Sequence, residues 1–235
     1  MRADETRPPD EQGVHDGLAY ALFVPDAPPA GGVVVLHGAG SQKENHYDFA
    51  RLCRAAGLAA LAFDQRGHGA SAGALDGRAI EDVATVAALL PREVPVALRG
   101  SSMGGWLALA AASAVDAAAV VAICPASSEQ LARGLRDERF AFVVEPATLT
   151  PVLESVDLAA AAAALADRLL LMHAEADEAV PVEQSRALHA ATPDSRIEIV
   201  PGGDHRSVQH DPEMQALAVR FLARRWAAAP AGEAP

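Results

Sequence analysis

Cysteine and aromatic side chains are scarce in this sequence. The 235 residues include only two cysteines, Cys53 and Cys124, and aromatic residues make up 4% of the chain. Two cysteines in separate apolar segments do not suggest a disulfide framework, so a reducing compartment is expected. Hydrophobic residues still account for 51% of the chain. The core must therefore consist mainly of closely packed alanine, valine and leucine.

Basic residues and long apolar runs are also few. Lysine and arginine number 19 against 31 aspartates and glutamates, which gives a formal net charge of -12. This charge repels a nucleic-acid backbone or an anionic membrane, so neither is expected as a partner. Apolar runs fall short of the ~20 residues of a membrane span. Residues 1–12 lack the apolar segment of a secretory signal, so the expected location is cytoplasmic.

Short apolar runs alternate with helical patterns along most of the chain. The length is sufficient for one domain with a large core. The apolar runs are predicted strands at residues 17–24, 32–36, 58–63, 94–98, 117–123, 169–172 and 196–200. The helical patterns lie at residues 48–56, 79–90, 103–113, 182–191 and 212–227. This alternation predicts an α/β fold with a mostly parallel sheet covered by helices on both faces.

Three segments depart from this alternation. Residues 126–167 contain several helical fragments and no convincing strand, which predicts a short helical cap inserted into the domain. Residues 1–13 and 229–235 have no periodic apolar face, so both are expected to be flexible tails. Residues 1–235 are thus expected to form a single domain that carries a cap.

The segment GSSMG at residues 100–104 follows an apolar run directly and opens a helical pattern. This is the setting of a G-x-S-x-G nucleophile elbow, a sharp turn that exposes a serine hydroxyl. The spacing selects Ser102, because Ser101 would need a glycine in place of Arg99. A serine hydroxyl is a weak nucleophile without a neighbouring base. The alternative is a glycine-serine loop that caps an ordinary helix.

Four further motifs accompany this segment. They are HGAG at residues 37–40, DQRGHG at 64–69, HAEADEAVP at 173–181 and GGDH at 202–205. With these motifs, residues 17–227 resemble the α/β-hydrolase superfamily, in particular its small carboxylesterases and its monoacylglycerol-lipase-like and dienelactone-hydrolase-like members. The resemblance implies an α/β-hydrolase fold and a serine hydrolase of the carboxylesterase type.

In this superfamily an acidic residue and then a histidine follow the catalytic serine along the chain. Asp177 matches the acidic position of the family pattern H-G-x-x-D-x-x-V-P, although Ala174 replaces the usual glycine. Its role would be to orient the histidine and to stabilise the imidazolium. Glu175 and Glu178 are the competing acids.

The resemblance assigns the general base to His205, which follows a predicted strand and the turn PGGD. His210 is the main competitor, and its alternative interpretation is a residue at the start of the last helix. The two histidines lack the H-E-x-x-H spacing that places two zinc ligands on one helical face. Neither a metal nor a cofactor is therefore expected.

The reaction implied by the resemblance places negative charge on a former carbonyl oxygen. By resemblance, the backbone N–H groups of Ala39 and Met103 form the oxyanion hole that stabilises this charge. His46 and Tyr47 follow the oxyanion segment and receive no role. Candidates for lining an acyl pocket are Trp106, Phe140 and Phe142, although aromatic residues in such segments usually pack in a core.

Residues 67–72, GHGASA, formally match a dinucleotide-binding fingerprint. In that motif a helix begins within the glycine-rich segment, whereas here helical periodicity resumes only after residues 72–77. A structural turn is therefore the preferred interpretation.

The implied reaction has two steps and passes through an acyl-enzyme at Ser102. The expected partner is a small-molecule carboxylic or thio ester with a small to medium acyl group, because the cap is short. Thioesterases, peptidases, lactonases and acyltransferases use the same triad, and a non-catalytic binding protein is the alternative of another class. The sequence does not indicate an oligomeric state.

Overall fold

A computed structural model describes residues 7–227 of the chain. Within them, eight strands form one sheet in the order β1-β2-β4-β3-β5-β6-β7-β8. The strands are β1 (Glu11–His15), β2 (Leu18–Phe23), β3 (Gly32–Leu36), β4 (Ala59–Phe63), β5 (Val96–Ser101), β6 (Ala119–Ile123), β7 (Leu169–Ala174) and β8 (Arg196–Val200). β2 pairs antiparallel with both β1 and β4, and β3 to β8 run parallel to one another. This confirms the predicted mostly parallel sheet.

Helices cover both faces of the sheet. They are α1 (Tyr47–Ala55), α2 (Ala79–Ala87), α3 (Met103–Ala110), α4 (Ser128–Arg136), α5 (Pro146–Ser155), α6 (Leu158–Leu165), α7 (Glu183–Ala191), α8 (Ser207–His210) and α9 (Pro212–Ala227). α1, α8 and α9 share one buried apolar cluster with the sheet, whereas α2 to α7 share another. In β3, Val34 and Leu36 belong to one cluster and Val33 and Val35 to the other. Burial on both faces therefore explains the continuous apolar runs of the central strands.

The tail predicted for residues 1–13 is wrong at its inner end. Glu11–His15 forms β1, which pairs with β2 at the edge of the sheet. Asp10, which directly precedes β1, holds the beginning of this strand by accepting a hydrogen bond from Val24 N at 2.9 Å. Most β1 side chains are exposed, so the strand has no apolar pattern to reveal it. The predicted tail at 229–235 lies outside the described residues.

The inserted cap is shorter than the predicted segment 126–167. α4 and α5 pack on each other, whereas α6 packs on α3 and α7 and belongs to the helical layer over the sheet. As predicted, the segment contains no strand, apart from one isolated β-bridge to Leu75. In this bridge Leu75 N donates to Val143 O at 2.9 Å and Glu145 N donates to Leu75 O at 2.8 Å. This bridge ties the cap to the loop after β4.

In the described part of the chain no single helix is long and apolar enough to cross a membrane. The bent pair Pro146–Ser155 and Leu158–Arg168 passes the same criteria of length and composition when its two helices are taken together.

Candidate active site

Ser102 lies at the sharp turn between β5 and α3. Its backbone has φ 56° and ψ -118°, a conformation that non-glycine residues rarely adopt. The flanking glycines make the turn possible. A Cβ on Gly100 would lie 1.9 Å from Gly104 O, and one on Gly104 would lie 2.3 Å from Leu36 O. The G-x-S-x-G spacing thus has a steric cause, and it places Ser102 at the carboxyl end of β5.

Asp177 and His205 meet at the carboxyl ends of β7 and β8. His205 Nδ1 donates a hydrogen bond of 2.7 Å to Asp177 Oδ2. Asp177 is buried, and its Oδ1 accepts hydrogen bonds of 2.9 Å from Ala179 N and Val180 N. Burial alone would raise the pKa of Asp177, but these hydrogen bonds outweigh it and hold the pKa below its ordinary value. An ionised Asp177 can orient His205 and stabilise its imidazolium.

The competing candidates occupy more exposed positions. Glu175 and Glu178 are exposed, whereas Asp177 is buried. His210 is exposed at the end of α8, just before the last helix, and its Nδ1 forms a hydrogen bond of 3.0 Å with Asp48 Oδ2. His210 nevertheless lines the same cleft as His205, which makes it a matched control in mutagenesis.

A cleft of about 370 Å³ connects the predicted catalytic residues. Ser102 and His205 both line it, together with residues 38–41, Asn45 and Arg206. Among residues 7–227, the Ser102 hydroxyl makes no hydrogen bond to another side chain. Hydrogen bonds between nucleophile and base are often completed only when substrate binds. The structure therefore brings Ser102, His205 and Asp177 together around one cleft.

The N–H groups of Ala39 and Met103 have no acceptor within the described range. Met103 is the first residue of α3, where N–H groups lack intrahelical acceptors and carry partial positive charge. Ala39 lies in a turn in which Ser41 N donates to Gly38 O at 3.1 Å. Gly40 has φ 69° at the third position, as a type II turn requires. Both predicted oxyanion donors are thus available to a substrate oxygen.

Two buried histidines, His37 and His68, hold the predicted oxyanion turn, and their positions in the sequence indicate no such role. Gly40 N donates to His68 Nε2 at 3.1 Å, and Gln65 N donates to His37 Nε2 at 3.0 Å. The Nδ1 atom of each ring lies within 3.1 Å of a backbone carbonyl, which fixes the Nδ1-protonated neutral form. Residues 67–72 thus form a structural turn, and α2 begins only later. The sequence shows two histidines in the glycine-rich motifs HGAG and RGHG but does not indicate what they bind.

We expect the protein to lose stability in mild acid because of its buried histidines. Burial is the main cause that lowers the pKa of His37 to about 4 and of His46 to about 2. Between pH 6.5 and 4 the unfolded chain therefore binds more protons than the native state. The contribution of these neutral rings to the free energy of unfolding is fully present above pH 6.5. Below that pH the free energy of unfolding falls by about 1.4 kcal/mol per pH unit for each ring.

Denaturant unfolding at pH 7, 6 and 5 measures this loss. His46→Asn removes one titrating ring. The variant should therefore take up about one proton fewer than the wild type on unfolding, and its free energy of unfolding should depend less steeply on pH. Carboxylate titration affects both proteins equally. Identical pH slopes for the two proteins would contradict the assignment of His46 as a buried neutral ring.

Cys124 and His173 complete the surroundings of Asp177. One potential ligand atom from each of the three lies within 4.8 Å of the others, and zinc accepts ligands of these types. The ring of His173 is already engaged, however, with Ser185 Oγ at 2.7 Å and Val180 O at 2.9 Å. Its Nε2 also lies 3.4 Å from Asp177 Oδ2. We therefore assign this cluster to holding the carboxylate in place.

A small apolar cavity of about 20 Å³ lies between α3 and the cap. Trp106 and Phe140, two of the three acyl-pocket candidates, line it beside Met103. Phe142 instead packs on the ring of His68, with 3.8 Å between the ring centroids. The cavity adjoins the residue whose N–H is a predicted oxyanion donor.

Comparison with known sequences agrees with this arrangement. The sequence profile of the family described as "Serine aminopeptidase, S33" matches residues 27–143. A monoacylglycerol lipase of Mycolicibacterium smegmatis is 28% identical over 251 aligned residues, which cover 85% of this chain and 89% of the lipase. These sequence relatives identify the chain as a hydrolase.

Solved structures share the same fold. Est1E from Butyrivibrio proteoclasticus, in complex with ferulic acid, matches with a TM-score of 0.70 at 20% identity, covering 92% of this chain and 99% of Est1E. A monoacylglycerol lipase of Paleococcus ferrophilus matches with a TM-score of 0.69 at 23% identity, covering 88% of this chain and 99% of the lipase. The fold, the ordered motifs and the sequence relatives agree: the chain has the α/β-hydrolase fold, and its sequence is similar to hydrolases of that superfamily.

Proposed function

We propose that this protein is a serine hydrolase that cleaves carboxylic or thio esters with small acyl groups. The observation that carries the proposal is the cleft in which Ser102, at a strained elbow, and His205, bonded to a buried Asp177, meet. A binding protein has no need of a histidine paired with a buried carboxylate beside a half-buried serine. Esters also fit the sequence relative, which is a lipase.

The reaction follows from the hydrogen bonds of His205. Because Nδ1 donates to Asp177, Nε2 is the acceptor that takes the proton from the Ser102 hydroxyl as its oxygen attacks the ester carbonyl. The N–H groups of Ala39 and Met103 stabilise the oxyanion, and His205 then protonates the leaving alcohol. A water molecule activated by His205 hydrolyses the acyl-enzyme in the second step.

The name of the matching family favours a peptidase as the second candidate. An aminopeptidase must bind a free α-amino group, and a carboxylate is the natural counter-charge for it. Among the described residues, the cleft lining includes Arg206 and two histidines but no aspartate or glutamate. This lining supports an ester over an amino-terminal peptide.

The cavity under the cap leads to a prediction about acyl size. Its volume of about 20 Å³ has room for little more than one methylene group. Among 4-nitrophenyl esters from acetyl to decanoyl, we expect the highest kcat/KM with acetyl to butyryl. Phe140→Ala enlarges the cavity and should shift the optimum to longer acyl chains. The kcat/KM of the variant should rise by about fourfold for each additional methylene that fits, because each buried methylene contributes about 0.8 kcal/mol.

Val143→Ala serves as the control for this experiment, since Val143 lies in the same cap segment but is 63% exposed. Its chain-length profile should match that of the wild type. An unchanged profile for Phe140→Ala would show that the acyl group binds elsewhere. A folded wild type that cleaves aminoacyl 4-nitroanilides and no ester would replace the esterase proposal by the peptidase.

A further inference from the structure

The guanidinium of Arg99 is fully buried, with 0% of the residue exposed. Within residues 7–227 no carboxylate lies within 4 Å of it, in contrast to the buried Arg66, which is paired with Asp82 at 2.9 Å. A buried cation without an ion-pair partner lowers stability unless its hydrogen bonds compensate. Burial lowers the pKa of Arg99 to about 10, so the side chain remains a cation at neutral pH. Because burying this cation lowers stability, we expect Arg99 to have a role other than stabilising the fold.

The contacts of Arg99 join three segments of the chain. One terminal nitrogen lies 2.9 Å from His46 Nδ1, and the other donates to Gln209 O at 2.9 Å. Because guanidinium only donates, His46 must accept, and its ring is neutral with the proton on Nε2. The guanidinium carbon also lies 4.6 Å from the centroid of the Phe49 ring, a cation–π contact.

Each of these segments carries a part of the proposed active site. Arg99 belongs to β5, the strand that ends at the elbow of Ser102. His46 lies in the turn of helix that follows the oxyanion segment. Gln209 lies in α8, which directly follows the loop of His205. One buried side chain therefore contacts the elements that carry the nucleophile, the oxyanion turn and the base.

The loop of His205 needs such a support. Gly202 and Gly203, which precede His205, both have positive φ, and residues 201–204 are exposed. The helix α8 that follows is only four residues long. The carbonyl of Gln209 accepts a second hydrogen bond, from Gln215 Nε2 at 3.0 Å. Besides the hydrogen bonds of His205 with Asp177 and of Ala176 N with Gly202 O, the bond from Arg99 connects this segment to the central strand β5.

We propose that Arg99 is a positioning residue, which fixes α8 and thereby the ring of His205 relative to Ser102. The inference rests on the proposed function, because it assigns the base to His205. Arg99 does not line the cleft, so its action on catalysis passes through the backbone of α8. Removing the guanidinium should then affect turnover and leave substrate binding unchanged.

Arg99→Met is the decisive variant, since methionine fills the same apolar space without hydrogen bonds or charge. Methionine removes the desolvation cost of a buried cation, which offsets the loss of the hydrogen bonds to His46 and Gln209, so we expect a melting temperature close to that of the wild type. The kcat should fall by roughly 10- to 100-fold at unchanged KM, as for a slightly misplaced catalytic group. Arg99→Lys keeps a donor and should recover part of kcat.

Two further measurements distinguish positioning from a general structural role. Hydrogen exchange of the backbone amides in residues 201–211 should be faster by about tenfold in Arg99→Met, with the central strands unchanged. In the background of His205→Ala, Arg99→Met should have no further effect on kcat, since both changes act on the same group.

The inference is overturned if Arg99→Met keeps full kcat, if its exchange in residues 201–211 equals that of the wild type, or if its effect adds fully to that of His205→Ala. A folded wild type without hydrolytic activity would instead overturn the proposed function. In that case hydrogen exchange alone still decides whether Arg99 holds α8.

Discussion

Ser102→Ala should lower kcat for ester hydrolysis by roughly 10,000- to 1,000,000-fold, as removal of a serine nucleophile does in other hydrolases. The reason lies in the elbow, where the strained backbone places Ser102 in the lining of the cleft that His205 also lines. No acyl-enzyme can form without this oxygen. The KM should change little, because the methyl side chain of alanine leaves the cleft and the oxyanion donors in place.

Ser101→Ala is the matched control for this experiment. Ser101 precedes the nucleophile, lines the same cleft and is buried, so the chemical change is identical. Its kcat should stay within about threefold of the wild type, as is usual for residues outside the reacting group. Mass spectrometry after treatment with an organophosphonate should find the label on Ser102 only. Labelling of Ser101, or activity retained by Ser102→Ala, would refute the assignment.

The parts of this molecule that could be predicted from sequence are those in which one physical cause dominates. The central strands are buried on both faces, and their continuous apolar runs follow directly from that burial. The elbow is likewise local, since Gly100 and Gly104 are required by contacts within a few ångströms of the turn. In such features each position requires a particular type of residue, and that requirement is visible in the sequence.

The parts that were missed depend on contacts between distant segments. β1 is an exposed edge strand, so its residues carry no apolar pattern. α6 was correctly expected to be helical, but only its contacts with α3 and α7 show that it lies outside the cap. His68 supports the oxyanion turn through a hydrogen bond to Gly40, and nothing in its own segment reveals this acceptor role.

Arg99 illustrates the same limit most clearly. In the sequence, Arg99 only excludes Ser101 as the nucleophile, because the elbow motif would need a glycine at position 99. An arginine is otherwise expected at the surface. The burial of Arg99 depends on contacts with His46 in the turn before α1, with Phe49 on α1 and with Gln209 on α8. A role that is distributed over several elements in this way becomes visible only when the elements are assembled.

His205→Ala and His210→Ala should separate two histidines that look alike. Both line the cleft, and in both the ring Nδ1 bonds to an aspartate, at 2.7 Å for His205 with Asp177 and at 3.0 Å for His210 with Asp48. The difference lies in the carboxylates, because the Asp177 side chain is 0% exposed and that of Asp48 is 44% exposed. A buried carboxylate stabilises an imidazolium far more than a solvated one does.

We therefore expect His205→Ala to lower kcat by roughly 1,000-fold or more, and His210→Ala by less than about tenfold, the small effect typical of an exposed pair. Steady-state kinetics with a short-chain 4-nitrophenyl ester measures both. Asp177→Asn should resemble His205→Ala, since an amide cannot hold the Nδ1-protonated ring or stabilise its charge. If the large loss followed His210→Ala and Asp48→Asn instead, the base would be His210, and the buried pair of Asp177 and His205 would serve only to hold the end of the sheet.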